Sequence, residues 1–305
     1  MKYIVISLIN FNGKKNTLEC LESLKILKKE DLKLTIIVID NASAEPLSLS
    51  SGFVGDIPLV VIRNEKNLGF SGGHNVGIKY GLENGADYIL TLNNDTFVDK
   101  NFLEELVSVA QKDKRVGIVV PKIYFAPGFE FHKDRYSKTE LGKILWYAGG
   151  QMDWGNVLGH NRGVDLVDKG QFDRIEKSGI ATGCCMLIKK EIFEKIGLFD
   201  EKYFLYYEDA DLSMRVKKIG YEIIYVPKAI IWHKNAGSAG GSGSVLQDYY
   251  IARNRLLFGM LYAPFRSKLA LIKESLSLLF YGREWQKKGV WDFYLGRFGK
   301  GSFQV

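Results

Sequence analysis

The chain has 305 residues, 46% of them hydrophobic and 25% charged, and carries a net charge of +7. That apolar fraction fills a sizeable core, which excludes general disorder, and the length suits one large α/β domain or a domain with an appendage. Residues 249–305 hold ten Lys and Arg against three acids, so the tail carries the whole excess charge. Its Phe, Tyr and Trp content fits an anionic membrane surface and argues against nucleic acid. Cys20, Cys184 and Cys185 show neither disulfide nor metal spacing, which points to a reduced, cytoplasmic setting. No secretory signal opens the chain and no run of about 18 apolar residues occurs, so a protein peripheral to the inner face of the membrane is expected.

Strand patterns recur at residues 3–9, 34–39, 59–62, 88–92 and 116–119. Helical patterns lie between them at 17–28 (Leu18, Leu21, Leu24 and Leu27 on one face), 73–84 and 100–112. Strands alternating with helices predict a mostly parallel central sheet flanked by helices on both faces. The first strand ends in Ser7-Leu8-Ile9-Asn10-Phe11-Asn12 and the second in Ile39-Asp40-Asn41. Ligands of such sheets sit beyond the carboxyl ends of the strands, although Asp40 suits a turn cap equally well. Residues 67–77 form a glycine-rich loop, Asn67-Leu68-Gly69-Phe70-Ser71-Gly72-Gly73-His74-Asn75-Val76-Gly77. Its glycines allow close backbone approach and the following helix start favours a phosphate, but it matches neither a dinucleotide fingerprint nor a Walker loop. The strand at 88–92 then breaks off in Asn93-Asn94-Asp95, an oxygen-rich cluster suited to a hard divalent cation.

Residues 124–177 read poorly, with turns expected at 149–153 and 159–163 around short strands. Small residues from 178 to 184 run into a strand and leave room for a ligand against the sheet, while the two cysteines read as packing. A helix follows at 190–196. The second chemical cluster is Tyr206-Tyr207-Glu208-Asp209-Ala210-Asp211, three carboxylates at the start of a helix over 210–219. The helix dipole accounts for one or two of them, and their mutual repulsion calls for a cation, a basic partner or a function. A strand at 222–226 leads to Trp232-His233, then a Gly/Ser-rich stretch, 236–248, reads as a flexible loop. The tail holds helical patterns at 268–281 and 285–298, read as a docked helix pair or a membrane-surface patch.

Ile39-Asp40-Asn41-Ala42-Ser43, Asn67-Leu68-Gly69-Phe70, Leu92-Asn93-Asn94-Asp95-Thr96 and Tyr207-Glu208-Asp209-Ala210-Asp211-Leu212, in this order, resemble the family 2 glycosyltransferases of GT-A fold, in particular their rhamnosyltransferase-like branch. Trp232-His233 and residues 249–255 extend the likeness over roughly 3–256. The resemblance implies a GT-A domain over 1–235, with a nucleotide-binding half at 1–120 and an acceptor-side half at 121–235, followed by the loop and a helical extension at 249–305. It implies an inverting transfer from a dTDP-rhamnose or UDP-sugar type of donor to a hydroxyl of a lipid-linked or polysaccharide acceptor. By position, Ser7, Asn10, Asn12, Asp40, Asn41, Asn67, Gly69, Phe70, Asn75, Asn93, Asn94 and Arg253 would hold the nucleotide-sugar. Asp95, His233 and Asn93 would hold Mg2+ or Mn2+, Asn93 departing from the family's Asp-x-Asp pattern. Asp209 would be the general base, supported by Glu208 and Asp211. A sugar-phosphate nucleotidyltransferase is the competing enzyme, although 10–14 lack its Gly-x-Gly-x-Arg loop, and a non-catalytic nucleotide-binding scaffold is the non-enzyme alternative. A homodimer is compatible with the sequence.

Overall fold

The computed structural model describes residues 1–50, 52–235 and 244–304. Strand β1 (Lys2–Asn10) is followed by α1 (Lys14–Leu24), β2 (Leu32–Asp40), β3 (Leu59–Arg63), α2 (Gly69–Glu83) and β4 (Tyr88–Leu92). Strands β3, β2, β1 and β4 lie side by side and parallel. Because β2 pairs on one side of β1 and β4 on the other, the strand order reverses at β1, and a crevice opens where these strands end. All five residues of β4 are buried, the mark of a strand covered on both faces.

The chain continues through β5 (Thr96–Val98), α3 (Phe102–Lys112), β6 (Val116–Phe125), β7 (Leu145–Tyr147), β8 (Gly150–Asp153), β9 (Leu158–Asn161), β10 (Glu176–Lys177), β11 (Cys185–Lys189), α4 (Lys190–Ile196), α5 (Glu208–Lys218) and β12 (Glu222–His233). β11 inserts antiparallel between β4 and β6, and β12 runs parallel to β6. The expected α/β architecture, a mostly parallel sheet with flanking helices, is present. The stretches expected as turns at 149–153 and 159–163 instead contribute β8 and β9, which pair with each other. β12 runs on past Pro227 to His233, with a register shift between Val226 and Ile230 absorbing the proline.

Three helices close the described chain: α6 (Val245–Tyr262), α7 (Phe265–Tyr281) and α8 (Glu284–Tyr294). α7 and α8 are the expected pair, and α6 precedes them, starting four residues before the tail boundary read at 249, with Ser244 Oγ accepting from Gln247 N–H as its cap. Within the Gly/Ser stretch, residues 236–243 lie outside the described residues. Leu256 and Phe258 of α6 join Tyr203 and Ala210 in a second apolar cluster, so the extension is packed against the acid-bearing helix.

The glycine-rich segment is helix, not loop. Gly73, Gly77 and Gly81 recur every fourth residue on one face of α2. A Cβ at these positions would come within 2.8 Å of Ile9, 2.3 Å of Ser7 and 2.3 Å of Ile89, respectively. Their role is to seat α2 directly on β1 and β4 rather than to cradle a phosphate. The first amides of the helix are also taken, since Phe70 N–H and Ser71 N–H donate to the Phe204 carbonyl at 2.7 and 3.3 Å.

Candidate active site

At the ends of β1 and β2 the polar side chains bind one another. Asp40 is fully buried and accepts from Ser43 N–H and Leu47 N–H at 3.1 Å each, Asn10 Nδ2 at 3.5 Å and Arg63 Nη1 at 2.5 Å. Burial alone would raise its pKa, but hydrogen bonds from the Ser43 side chain, Leu47 and Arg63 bring it below the usual aspartate value. Asn10 Oδ1 accepts from Thr17 Oγ1, and its amide donates to Ser43 Oγ. Asn41 bonds to Asn64, Asn67, Leu68 N–H and the Gly69 carbonyl, pinning the start of α2 to the end of β2.

At the end of β4, Asp95 Oδ1 lies 3.0 Å from His233 Nε2, which arrives at the end of β12. The antiparallel pairing of Thr96 with His233 sets this approach. His233 Nδ1 is buried without an oxygen or nitrogen partner, and its neighbours are the Cys184 thiol and the edge-on Trp146 ring. Burial would lower the His233 pKa, but the adjacent Cys184 and Asp95 raise it above the ordinary histidine value. A carboxylate and an imidazole at two strand ends fit a hard divalent cation whose other positions go to diphosphate oxygens and water. Among the described residues no group of three or more His, Cys, Asp and Glu is arranged to hold a metal ion. Asn93 and Asn94 lie half-buried beside Asp95, with Asn94 Nδ2 donating to Thr17 Oγ1 at 2.8 Å.

Asp209 stands in the first turn of α5, its Oδ2 accepting from Gly183 N–H at 2.9 Å and its Oδ1 from Ala210 N–H at 2.8 Å. Burial raises its pKa, with these amides opposing. Glu208 is buried with Oε2 unpartnered, and burial, aided by the neighbouring Asp209 charge, pushes its carboxyl far above the glutamate range. Residues 183–184 join the two clusters. Gly183 holds Asp209, the Cys184 carbonyl accepts from Asn93 N–H at 2.9 Å, and the Cys184 thiol lies beside His233. Gly183 and Cys184, the latter read as packing, therefore lie between the acids and the Asp95–His233 pair as a floor.

The segment entering α5 is strained. Phe204, Tyr206 and Tyr207 all have left-handed backbones, with φ of +61°, +67° and +73°, and each costs about 1–2 kcal/mol. Asn254 holds them in place, its amide donating to the carbonyls of Tyr203, Leu205 and Tyr206 at 2.8–2.9 Å. Arg253 is buried against the rings of Tyr249 and Tyr250 and donates to the carbonyls of Lys202, Tyr203 and Arg297.

Residues 5–197 match the family model described as Glycosyl transferase family 2, more than half of the chain. The chain belongs to this family. It is 26% identical over 224 residues to a low-salt glycan biosynthesis hexosyltransferase of Haloferax volcanii, covering 72% of this chain and 66% of that protein. It is 28% identical over 155 residues to the N-acetylglucosaminyl-diphospho-decaprenol L-rhamnosyltransferase of Mycobacterium tuberculosis, covering 50% and 49%. The chain thus spans from about half to just under two thirds of these curated relatives. The fold matches GalNAc-T7 bound to UDP, GalNAc and Mn2+ (TM-score 0.58, 16% identity, 92% of this chain and 58% of that one) and S. aureus TarS bound to UDP-GlcNAc (TM-score 0.56, 15%, 95% and 78%). Family membership sets aside the nucleotidyltransferase reading.

Within this family 2 member the sequence-derived assignments separate into two groups. Asp209, Asn93 and His233 meet at residues 183–184, with Asp95 on His233 and with Asn94 and Glu208 as their chain neighbours. Phe70 joins their rim, its ring lying so close over Gly183 that a Cβ there would sit 2.9 Å from it. The other group is absorbed by the fold. Ser7 is buried within β1 with Oγ 2.9 Å from His74 Nδ1, three residues short of the crevice. Asn75 is spent on Phe199 and Glu201, and Gly69, at φ +70°, packs against Phe204. Asp211 accepts from Tyr262 Oη and Arg215 Nε at 2.7 Å each, tying α5 to α6 rather than supporting a base. Arg253 has its donors committed to carbonyls, so it positions the 202–206 segment instead of binding a nucleotide. Asn12 is exposed with Oδ1 accepting from Ala44 N–H. The sequence reading gave no role to Arg63 or Asn254. The Arg253-Asn254-Arg255 run was the available signal for Asn254, whereas Arg63 meets Asp40 only through strand pairing.

Proposed function

We propose that this chain transfers a sugar, with inversion, from a dTDP- or UDP-linked donor to a hydroxyl of a lipid-linked or polysaccharide acceptor, at the inner face of the membrane. The observation that carries the reading is the 183–184 floor, which joins a raised-pKa carboxylate to the Asp95–His233 pair at the strand ends. Asp209 takes the proton of the acceptor hydroxyl as that oxygen bonds to the anomeric carbon, and the nucleoside diphosphate leaves from the opposite face. A single displacement inverts the centre, so no carboxylate nucleophile is required. Asp95 and His233 would hold Mg2+ or Mn2+, which when bound neutralises charge on the departing diphosphate. Burial pushes the Glu208 carboxyl far above the glutamate range, which disfavours a second negative charge beside Asp209. The names of the relatives and the nucleotide-bound neighbours support this donor and acceptor class.

The test is a thermal-shift titration of UDP, dTDP and their sugars with and without Mn2+. One diphosphate should raise the melting temperature of the wild type only with metal. Asp95→Ala should abolish that shift, while Asp209→Asn retains it and loses transfer. Absence of any nucleotide shift would leave the non-catalytic scaffold as the better account.

A further inference from the structure

Helix α7 carries its apolar face outward. It buries Ser267, Leu271 and Ser275, while Phe265, Leu269, Ile272, Leu276 and Phe280 are exposed. Those five residues follow an i, i+4, i+7, i+11, i+15 spacing and so form one stripe along the helix. Phe265 and Phe280, near its two ends, are each 73% exposed. Isolated exposed apolar residues are ordinary, but a continuous stripe marks a face that a partner covers.

The charges around the stripe identify the partner. By helical geometry Arg266 and Lys273 border one side of it and Lys268 the other. Glu274, the helix's acid, falls on the far side and is held by Arg255 at 2.6 Å. A rim of bases around an apolar stripe with aromatic ends fits an anionic phospholipid surface, into which side chains insert while the bases reach lipid phosphates. No helix among the described residues is long and apolar enough to cross a membrane, so the contact is with one face of the bilayer.

We propose that α7 lies in the plane of an anionic membrane, with its stripe in the headgroup boundary and Arg266, Lys268 and Lys273 on the phosphates. Leu271 anchors α7 to α6 at Gly259, where a Cβ would come within 2.2 Å of it. The same α6 supplies Asn254 to the segment entering α5, so the docked helix sets how the acids face the lipid surface. This deepens the membrane part of the function proposed above, and its test is independent of catalysis.

The full chain is floated with phosphatidylcholine vesicles and with vesicles containing phosphatidylglycerol, at low and high salt. The wild type is compared with Leu269→Ser/Leu276→Ser/Phe280→Ser and with Arg266→Glu/Lys273→Glu. All substituted residues are solvent-exposed, and unchanged melting temperatures and nucleotide shifts verify folding. The wild type should float with the anionic vesicles and release in salt. Each variant should partition about tenfold more weakly or worse. If the triple variant misfolds, the charge-reversal pair, which removes no apolar group, decides. Flotation unaffected by the substitutions overturns the proposal, as does a wild type that ignores anionic vesicles. A wild-type dimer that the triple variant turns into a monomer also overturns it, giving the face to a second copy. A missing nucleotide shift in a chain that floats counts against the transferase reading alone.

Discussion

Two polar clusters lie at the carboxyl edge of the same sheet, and they differ in how completely they satisfy themselves. Around Asp40 and Asn41, donors and acceptors meet within the protein, down to the Arg63 guanidinium on the Asp40 carboxylate. Around Asp209 and His233, Glu208 Oε2 and His233 Nδ1 are buried without oxygen or nitrogen partners, and the carboxyl pKa values are driven upward. An unsatisfied buried polar atom costs about 1–3 kcal/mol, so a fold retains it where something other than stability uses it. On the proposed function, satisfaction distinguishes the cluster that builds the crevice from the cluster assigned to react in it.

The contrast breaks first at Asp209. Asp209→Asn should lower transfer by about 10²–10⁴-fold while nucleotide shifts persist. The wild-type rate should rise with pH through an ionisation above the ordinary aspartate value, because burial raises the base and only its ionised form accepts a proton. A flat pH profile, or an active Asn variant, would move the base elsewhere.

Asn254→Ala probes the link between the extension and the acids. It removes a donor from three carbonyls of a segment with three left-handed residues, of which only that of Tyr203 keeps Arg253 as a partner, for a loss of about 2–4 kcal/mol in a denaturant melt. Turnover should fall more than donor affinity, since the 203–207 segment places Glu208 and Asp209. Equal losses in both would separate the segment from catalysis.

Asp40→Asn sharpens the other side of the comparison. It puts an amide where Ser43, Leu47 and Arg63 all donate, and should cost about 2 kcal/mol of stability, the half-exposed Arg63 adding little. Loss of nucleotide binding at an unchanged melting temperature would return Asp40 to the base-binding role that the family resemblance implies.

The smallest effect is expected from Glu208→Gln, read as melting temperature against pH. The folded Glu208 pKa lies above its unfolded value. Below the unfolded value both states hold the proton and no difference arises. Above it, the unfolded chain releases its proton first, so wild-type stability falls with rising pH until the folded value is passed. The Gln variant lacks this penalty and should gain on the wild type in melting temperature between acid and alkaline pH. Parallel curves would show that Glu208 is not held protonated.

Local pattern alone determined the sheet and its edge. The apolar runs of β1, β2 and β4 are long, uniform and bounded by Asn and Asp, so both the strands and the acids at their ends were legible. Periodicity of that kind is a property of neighbouring residues, and so is the crowding of three carboxylates at 208–211. Tertiary structure decided which polar residues remain available. Whether Asp40 faces a ligand depends on Arg63, delivered by strand pairing, and whether Asp211 supports a base depends on Tyr262, 51 residues away. The glycines of α2 look like a phosphate loop until the sheet beneath them shows why no side chain fits. Hydrogen-bond capacity is spent across long sequence separations, so a residue's chemistry can be read locally, while its freedom to act appears only once its distant partners are in place.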